Sequence, residues 1–134
     1  SYSFRKKVGE TNGKFDQAES HYRQSLLGWE KVYSPDPPYT LGAVSALGSL
    51  LNQTGRSAEA ASLLAKYSEI SSNAMAYLRY NLACYECLCG NLERAKKLVA
   101  EEIAANENPM ESKNSMLEDE DLAQLHDFLK STPY

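Results

Sequence analysis

The sequence predicts an all-α stack of helical hairpins, a solenoid closed at its C-terminal end by a capping helix, and three observations carry that expectation. First, Gly13-Lys14-Phe15-Asp16-Gln17-Ala18, Gly55-Arg56-Ser57-Ala58-Glu59-Ala60 and Gly90-Asn91-Leu92-Glu93-Arg94-Ala95 repeat one arrangement, a glycine followed five residues later by an alanine at the head of an apolar helical pattern. Glycine ends one helix without steric cost, and alanine lets the next approach closely. Second, these glycines recur at intervals of roughly 35–42 residues, inside the range of about 20–50 that marks stacked units rather than one central core. Third, the sequence shows no strand-period alternation, low-complexity tract or flexible linker. Each of the three glycines is therefore expected to be a hairpin turn.

Residues 2–12 read as the back half of a helix whose beginning is missing, with Arg5, Lys6 and Lys7 together and few apolar positions. From Phe15 the pattern sharpens. Phe15, Ala18, Tyr22, Leu26, Trp29 and Tyr33 recur at steps of three and four, an amphipathic helix of about five turns, with Gln17, Arg23, Gln24 and Lys31 on its solvated face. Ser34-Pro35-Asp36-Pro37-Pro38 stops it, because proline lacks an N–H and bars the preceding residue from helical dihedrals. The next helix is expected from Tyr39 to Gln53, with Leu41, Val44, Leu47 and Leu51 as its stripe and Gly42, Ala43, Ala46 and Gly48 leaving room for a neighbour. After Gly55, Ser57 is the expected N-cap, and Ala60, Leu63, Leu64, Tyr67 and Ile70 carry the stripe to Ser71-Ser72-Asn73. A third pair spans Ala74–Cys89 and Leu92–Asn106, the second helix turning Ala95, Leu98, Val99 and Ile103 inward.

The polar stretch Asn106–Ser115 contains Pro109 and is expected to be a loop. A last helix, roughly Asp119–Lys130, presents Leu122, Leu125, Phe128 and Leu129 on one side, and Leu122, Leu125 and Phe128 are expected to cover the apolar end left by Leu98, Val99 and Ile103. Glu118-Asp119-Glu120-Asp121 at its start reads as a solvated complement to the helix dipole.

A length of 134 residues suits one domain. The net charge of −4 and pI near 5.2 have the wrong sign for neutralising phosphates or anionic lipid, so neither nucleic acid nor a membrane is expected as partner. No stretch has the apolar core of a signal peptide or the length of a membrane span. All three cysteines fall between Cys84 and Cys89, which is no disulfide framework and fits a reducing compartment, so a cytoplasmic location is expected.

The punctuation and stripes resemble the tetratricopeptide repeats, helix-turn-helix units. Tyr80-Asn81-Leu82-Ala83 followed by Gly90, Ala95 and Pro109 carries the resemblance in the third unit. Gly13 to Glu19, Tyr22-Arg23, Leu26, Glu30-Lys31, Pro35-Asp36, Pro38 and Thr40, then Leu47, Leu50-Leu51 and Gly55, are similar to the repeats of kinesin light chains. The resemblance implies a right-handed superhelix in a single domain, residues 1–134. It would hold a partly truncated first repeat to about residue 38, a second over 39–72, a third over 73–108 and a capping helix over 117–131. It also implies a protein-interaction module, a scaffold within a larger protein, that binds a peptide or helix of a partner in its concave groove. The alternative is an assembly segment that self-associates or stacks on further repeats through its exposed ends. The spaced Lys and Asn pairs with which chaperone-binding members clamp a carboxylate are missing, and Arg5 and Lys6 stand where the first helix should carry a leucine and a small residue.

With Leu82 as the centre of the packed face of its helix, Leu78, Tyr85 and Cys89 lie within about 60° of it, whereas Tyr77, Tyr80, Cys84, Cys87 and Leu88 lie about 120° or more away. That second face is aromatic and apolar, so it is either buried or awaiting a partner. On the preceding hairpin the corresponding face carries Gly42, Ser45, Ser49, Asn52 and Gln53. The resemblance places this face in the groove, with Lys7 and Glu10 at its first-repeat end. Folding of the C-terminal helix or a loop over Tyr77 and Tyr80 is the alternative.

Cys84, Cys87 and Cys89 could in principle hold zinc or exchange disulfides, a distant third function. At 100° per residue, however, Cys89 falls about 140° from Cys84 and about 160° from Cys87, so the three cannot converge on one ion within a helix. Structural packing of the thiols is expected instead. His21 and His126 sit in no motif, and no nucleophile with base, paired carboxylates or Gly-rich phosphate loop is found. No enzymatic activity, metal or cofactor is expected.

Overall fold

A computed structural model of the chain describes residues 8–32 and 38–134, with side chains over 13–28 and 40–134. The expected all-α fold is what the chain adopts, and no strand occurs among the described residues. The helices are α1 (Val8–Val32), α2 (Pro38–Gln53), α3 (Ser57–Ser68), α4 (Ser72–Leu88), α5 (Leu92–Ala105), α6 (Pro109–Leu117), a 3₁₀ turn (Glu120–Leu125) and α7 (His126–Lys130). The chain divides into two compact units, the boundary falling inside α4 between Leu78 and Arg79. Arg5, Lys6, Lys7, Tyr33 and the loop prolines Pro35 and Pro37 lie outside the described residues, as do the side chains of Glu10, Trp29 and Lys31.

In the first unit α2 packs against both α1 and α3. Its stripe behaves as its period requires, with Leu41, Val44, Leu47 and Leu51 buried together with Leu26 of α1 and Ala60, Ala61, Leu64 and Tyr67 of α3. The stripe ends short of Ile70, which lies past the end of α3 and is exposed. An ionic tie joins α1 to the head of α3. Arg56 Nη1 donates to Glu19 at 2.5 Å and its Nη2 to Glu59 at 2.6 Å, while Arg23 Nε donates to Glu19 from one turn along α1 at 2.9 Å.

Two of the three glycine turns form as expected, by one mechanism. At Gly55 (φ +81°), Arg56 N–H donates to Leu51 C=O and Gly55 N–H to Asn52 C=O. At Gly90 (φ +94°), Asn91 N–H donates to Glu86 C=O and Gly90 N–H to Cys87 C=O. This paired closure uses the left-handed dihedral that glycine adopts freely, and it satisfies carbonyls the helix end would otherwise leave open.

Gly13 overturns the third expectation. It lies inside α1, without a positive φ, and the helix runs straight through it. A glycine in a helix interior costs about 1 kcal/mol, less than breaking a run whose neighbours on both sides already favour helix.

The N-cap of α3 is also displaced by one residue. Arg56 occupies it, and Ser57 Oγ donates instead to Asn52 Oδ1 at 2.8 Å, tying the turn to the helix before it. Ser71 caps α4 by accepting from Ala74 N–H at 3.0 Å.

In the second unit α5 packs against α6 and the 3₁₀ turn, and α6 against the 3₁₀ turn and α7. The stretch expected as a loop is helix α6. Pro109 sits in its first turn, where the missing N–H has no intrahelical partner to lose, and Asn108 Oδ1 accepts from Glu111 N–H at 3.2 Å while its amide reaches back to the Glu111 carboxylate. The proline read as a breaker is a starter.

The expected last helix is two pieces. Leucines three apart share a face in a 3₁₀ winding, which sends Leu122 and Leu125 inward. The return to α winding then selects Leu129, four residues on, so that Leu122, Leu125 and Leu129 are all fully buried. The 3₁₀ turn packs on α5, whose Leu98, Val99 and Ile103 are buried, as the capping expectation required. In α7 it is Leu129 that is fully buried, whereas Phe128 is only half-buried with Lys96 Nζ 5.7 Å from its ring centre. Lys113 of α6, itself buried, donates to Thr132 C=O at 3.2 Å and to Tyr134 C=O, fastening the tail.

Candidate functional site

The residues singled out from sequence fall into both units, and each unit treats its share differently. In the first, Ser45, Ser49, Asn52 and Gln53 of α2 are half-buried, and Asn52 already accepts the Ser57 hydroxyl. Tyr77, on the early turns of α4, is 56% exposed.

The second unit contains Tyr80, Cys84, Cys87 and Leu88. As expected, Leu82 and Tyr85 are buried on the packed face of α4, but Ala83, Cys84, Glu86 and Cys87 are buried as well. A helix buried all round must be covered on two faces. On one side, Arg79 reaches Glu102 of α5 at 3.3 Å, and Glu86 pairs with Arg94 at 3.3 Å. The chain's own C-terminal segment supplies the other cover. Tyr80 Oη donates to Asp119 Oδ2 at 2.5 Å, the Cys84 thiol lies 3.9 Å from the same oxygen, and Cys87 meets the backbone of Gln124. Cys84 and Cys87 are therefore enclosed rather than open, while Leu88 and Tyr80 are half-buried, the Tyr80 hydroxyl held by Asp119.

Asp119 anchors this cover. Its Oδ1 accepts from Asp121 N–H at 2.9 Å, capping the 3₁₀ turn, and His126 Nε2 lies 3.1 Å from its carbonyl oxygen. Burial, reinforced by the Asp119 contact, pushes the Tyr80 hydroxyl above its ordinary pKa. Burial and the charges of Asp119 and Asp121 do the same to the Cys84 thiol, and burial raises Cys87. Burial also pushes Tyr85 up to about 12. All four groups are thus neutral at physiological pH, which suits packed hydrogen-bond donors and opposes the thiolate that metal binding or disulfide exchange requires.

The three cysteines do not assemble one site. Cys84 instead meets Asp119 and Asp121, with the three potential ligand atoms within 4.8 Å of one another. Both oxygens of Asp119 already accept hydrogen bonds, and the thiol is held protonated, so this cluster is a bonded anchor of the cover. Asp119 read as a solvated acid in the sequence. Nothing near it in the chain signals its partner Tyr80, which comes from another helix.

With this geometry in place, one comparison bears on the family: residues 10–73 match the tetratricopeptide-repeat family model. That stretch, a little under half of the chain, is similar to tetratricopeptide repeats. Comparisons with curated proteins and with solved structures gave no significant match. Tetratricopeptide repeats are protein-interaction modules and generally non-catalytic, which is the coarse role of this chain. No described helix is long and apolar enough to cross a membrane. Beyond the matched span, the α4–α5 hairpin closes at Gly90 with the same bonds as the tetratricopeptide-repeat turn at Gly55.

Proposed function

We propose that this chain binds an extended segment or short helix of a partner protein, and that Tyr77 is the principal anchor, with Ser45, Ser49 and Gln53 offering hydrogen bonds from the same unit. The observation that carries the reading is the exposure of Tyr77, 56%, in a helix whose other off-stripe aromatic, Tyr80, is bonded to Asp119. A large amphipathic ring held on a folded helix loses little entropy on contact, and tyrosine is enriched among residues that dominate binding energy. The enclosed thiols of Cys84 and Cys87 favour this role over thiol chemistry.

Selecting peptides from a random displayed library against the intact chain, then measuring the selected peptide against Tyr77→Ala, tests the proposal. The expected result is a loss of about 2 kcal/mol or more, roughly 30-fold in affinity, with an unchanged circular-dichroism spectrum. Full affinity in the folded variant would exclude Tyr77 as the anchor. Light scattering across micromolar to near-millimolar protein separates this role from self-assembly, which would raise the mass with concentration.

A further inference from the structure

The negative charge of the chain is concentrated in one unit. Residues 1–78 carry eight Lys or Arg against seven Asp or Glu and residues 79–134 six against eleven, so the net charge of −4 arises wholly in the second unit. Between Lys97 and Lys130 the sole basic residue is Lys113, which is buried and spends its ammonium on the carbonyls of Thr132 and Tyr134. Helix α6 carries part of this surplus on an open face. Its buried residues, Lys113 and Met116, lie on one side of the helix. At 100° per residue Met110, Glu111, Asn114, Ser115 and Glu118 share an arc of about 140° on the other, and all five are exposed. With Asn108 they line an open depression of about 420 Å³. Exposed acids alone are ordinary, but these two flank Met110, an apolar side chain 59% exposed. Among the described residues, the ion pairs of this unit engage Glu86, Glu93 and Glu102 and reach neither Glu111 nor Glu118.

We propose that this face of α6 docks a basic amphipathic helix of a partner protein, which lays one apolar side chain on Met110 and a Lys or Arg on each of Glu111 and Glu118. Charge selects the occupant. The two carboxylates have no cation of this chain to meet, and they repel a nucleic acid or an anionic lipid surface. Spacing selects its form. Glu111 and Glu118 are seven residues apart, about 10 Å along the axis, which is the separation of basic residues at i and i+7 on one face of a helix lying alongside. Methionine is flexible and polarizable, so Met110 accepts apolar side chains of differing shape. The acids set partner choice and encounter rate, while the apolar contact sets residence.

The test is fluorescence anisotropy with the full chain and three labelled synthetic helical peptides. One carries two lysines seven apart with a leucine beside them, the second replaces both lysines by glutamate, and the third moves one lysine two residues along, which turns it about 160° away. The first peptide is expected to bind saturably, the second at least about tenfold more weakly and the third severalfold more weakly. Glu111→Gln combined with Glu118→Gln should weaken the first peptide by about tenfold or more and Met110→Ser severalfold. Glu93→Gln, at an exposed acid of α5, and Tyr77→Ala should leave it unchanged. Glutamine at 111 keeps an acceptor for the Asn108 amide; should the double variant still disturb the helical spectrum, Glu118→Gln alone takes its place. No saturable binding at millimolar protein, equal binding of the glutamate or the shifted peptide, unchanged affinity in the folded Glu118 variant, or an equal loss in Glu93→Gln would overturn the proposal. Because Tyr77→Ala is the control here and the lesion in the preceding proposal, the two surfaces fail separately.

Discussion

The two units use the same glycine turn and both bury an apolar core, but each ties down one segment in its own way. In the first, the tie from α1 to the head of α3 is ionic, built from Arg56, Glu19, Glu59 and Arg23, all at least partly exposed. In the second, three fully buried leucines and the Tyr80–Asp119 bond close the C-terminal segment over α4. The apolar plug takes its own leucines out of solvent, whereas Leu27, beside the charged tie, stays in it. The contrast teaches that an apolar face on a helical wheel is not yet a binding surface. Tyr77 and Tyr80 share that face of α4, and only one of them is open.

The largest test of the contrast removes part of the plug. Leu125→Ala should cost about 2–5 kcal/mol in denaturant unfolding, through lost burial and the cavity left behind, while Tyr77→Ala should stay within about 0.5 kcal/mol. Similar losses in the two variants would erase the distinction between covered and open faces.

The turns come next, and they sharpen the comparison because both units should respond alike. Gly55→Ala and Gly90→Ala force a side chain into the left-handed region and should each cost about 1–2 kcal/mol. Gly13→Ala should instead stabilise by about 0.4–1 kcal/mol, since the position is helical and a Cβ there meets nothing within 4 Å. A loss at Gly13 comparable to that at Gly55 would restore it as a turn.

The smallest effect belongs to the ionic tie. Hydrogen bonding from Arg56 holds the Glu19 carboxyl below its ordinary pKa. A carboxyl depressed on folding contributes its stability above the unfolded value, about 4.3, and loses it as pH falls through the folded one. Melting curves at about pH 2 to 6 should therefore show a shallower acid limb for Glu19→Gln than for the parent, with a difference near neutral pH of no more than about 1 kcal/mol. An unchanged acid limb would remove Glu19 from the account of how the first unit is tied.

Much of the fold was legible in the sequence because its causes are local. Apolar periods of three and four are read within a few turns, which is why the stripes Leu41–Leu51 and Leu78–Leu82–Tyr85 are buried as their spacing requires. The turns at Gly55 and Gly90 close through bonds spanning five residues or fewer. Punctuation failed where one residue type serves two local roles, as glycine does at Gly13 and proline at Pro109, and the neighbours rather than the residue decided between them.

The candidate site was legible only as a face. Whether that face is open depends on Asp119, which lies 39 residues beyond Tyr80, and on leucines that turn inward only once the 3₁₀ turn sets their angle. Leu26, Leu47 and Leu63 likewise become neighbours, lining a cleft beside Leu27, only once α1, α2 and α3 come together. By itself the sequence determined the helical stripes from Leu41 to Ile103 and the turns at Gly55 and Gly90, because backbone bonding and side-chain period act over short separations. The tertiary structure decided which apolar residues remain for a partner, because that depends on contacts between segments far apart in the chain.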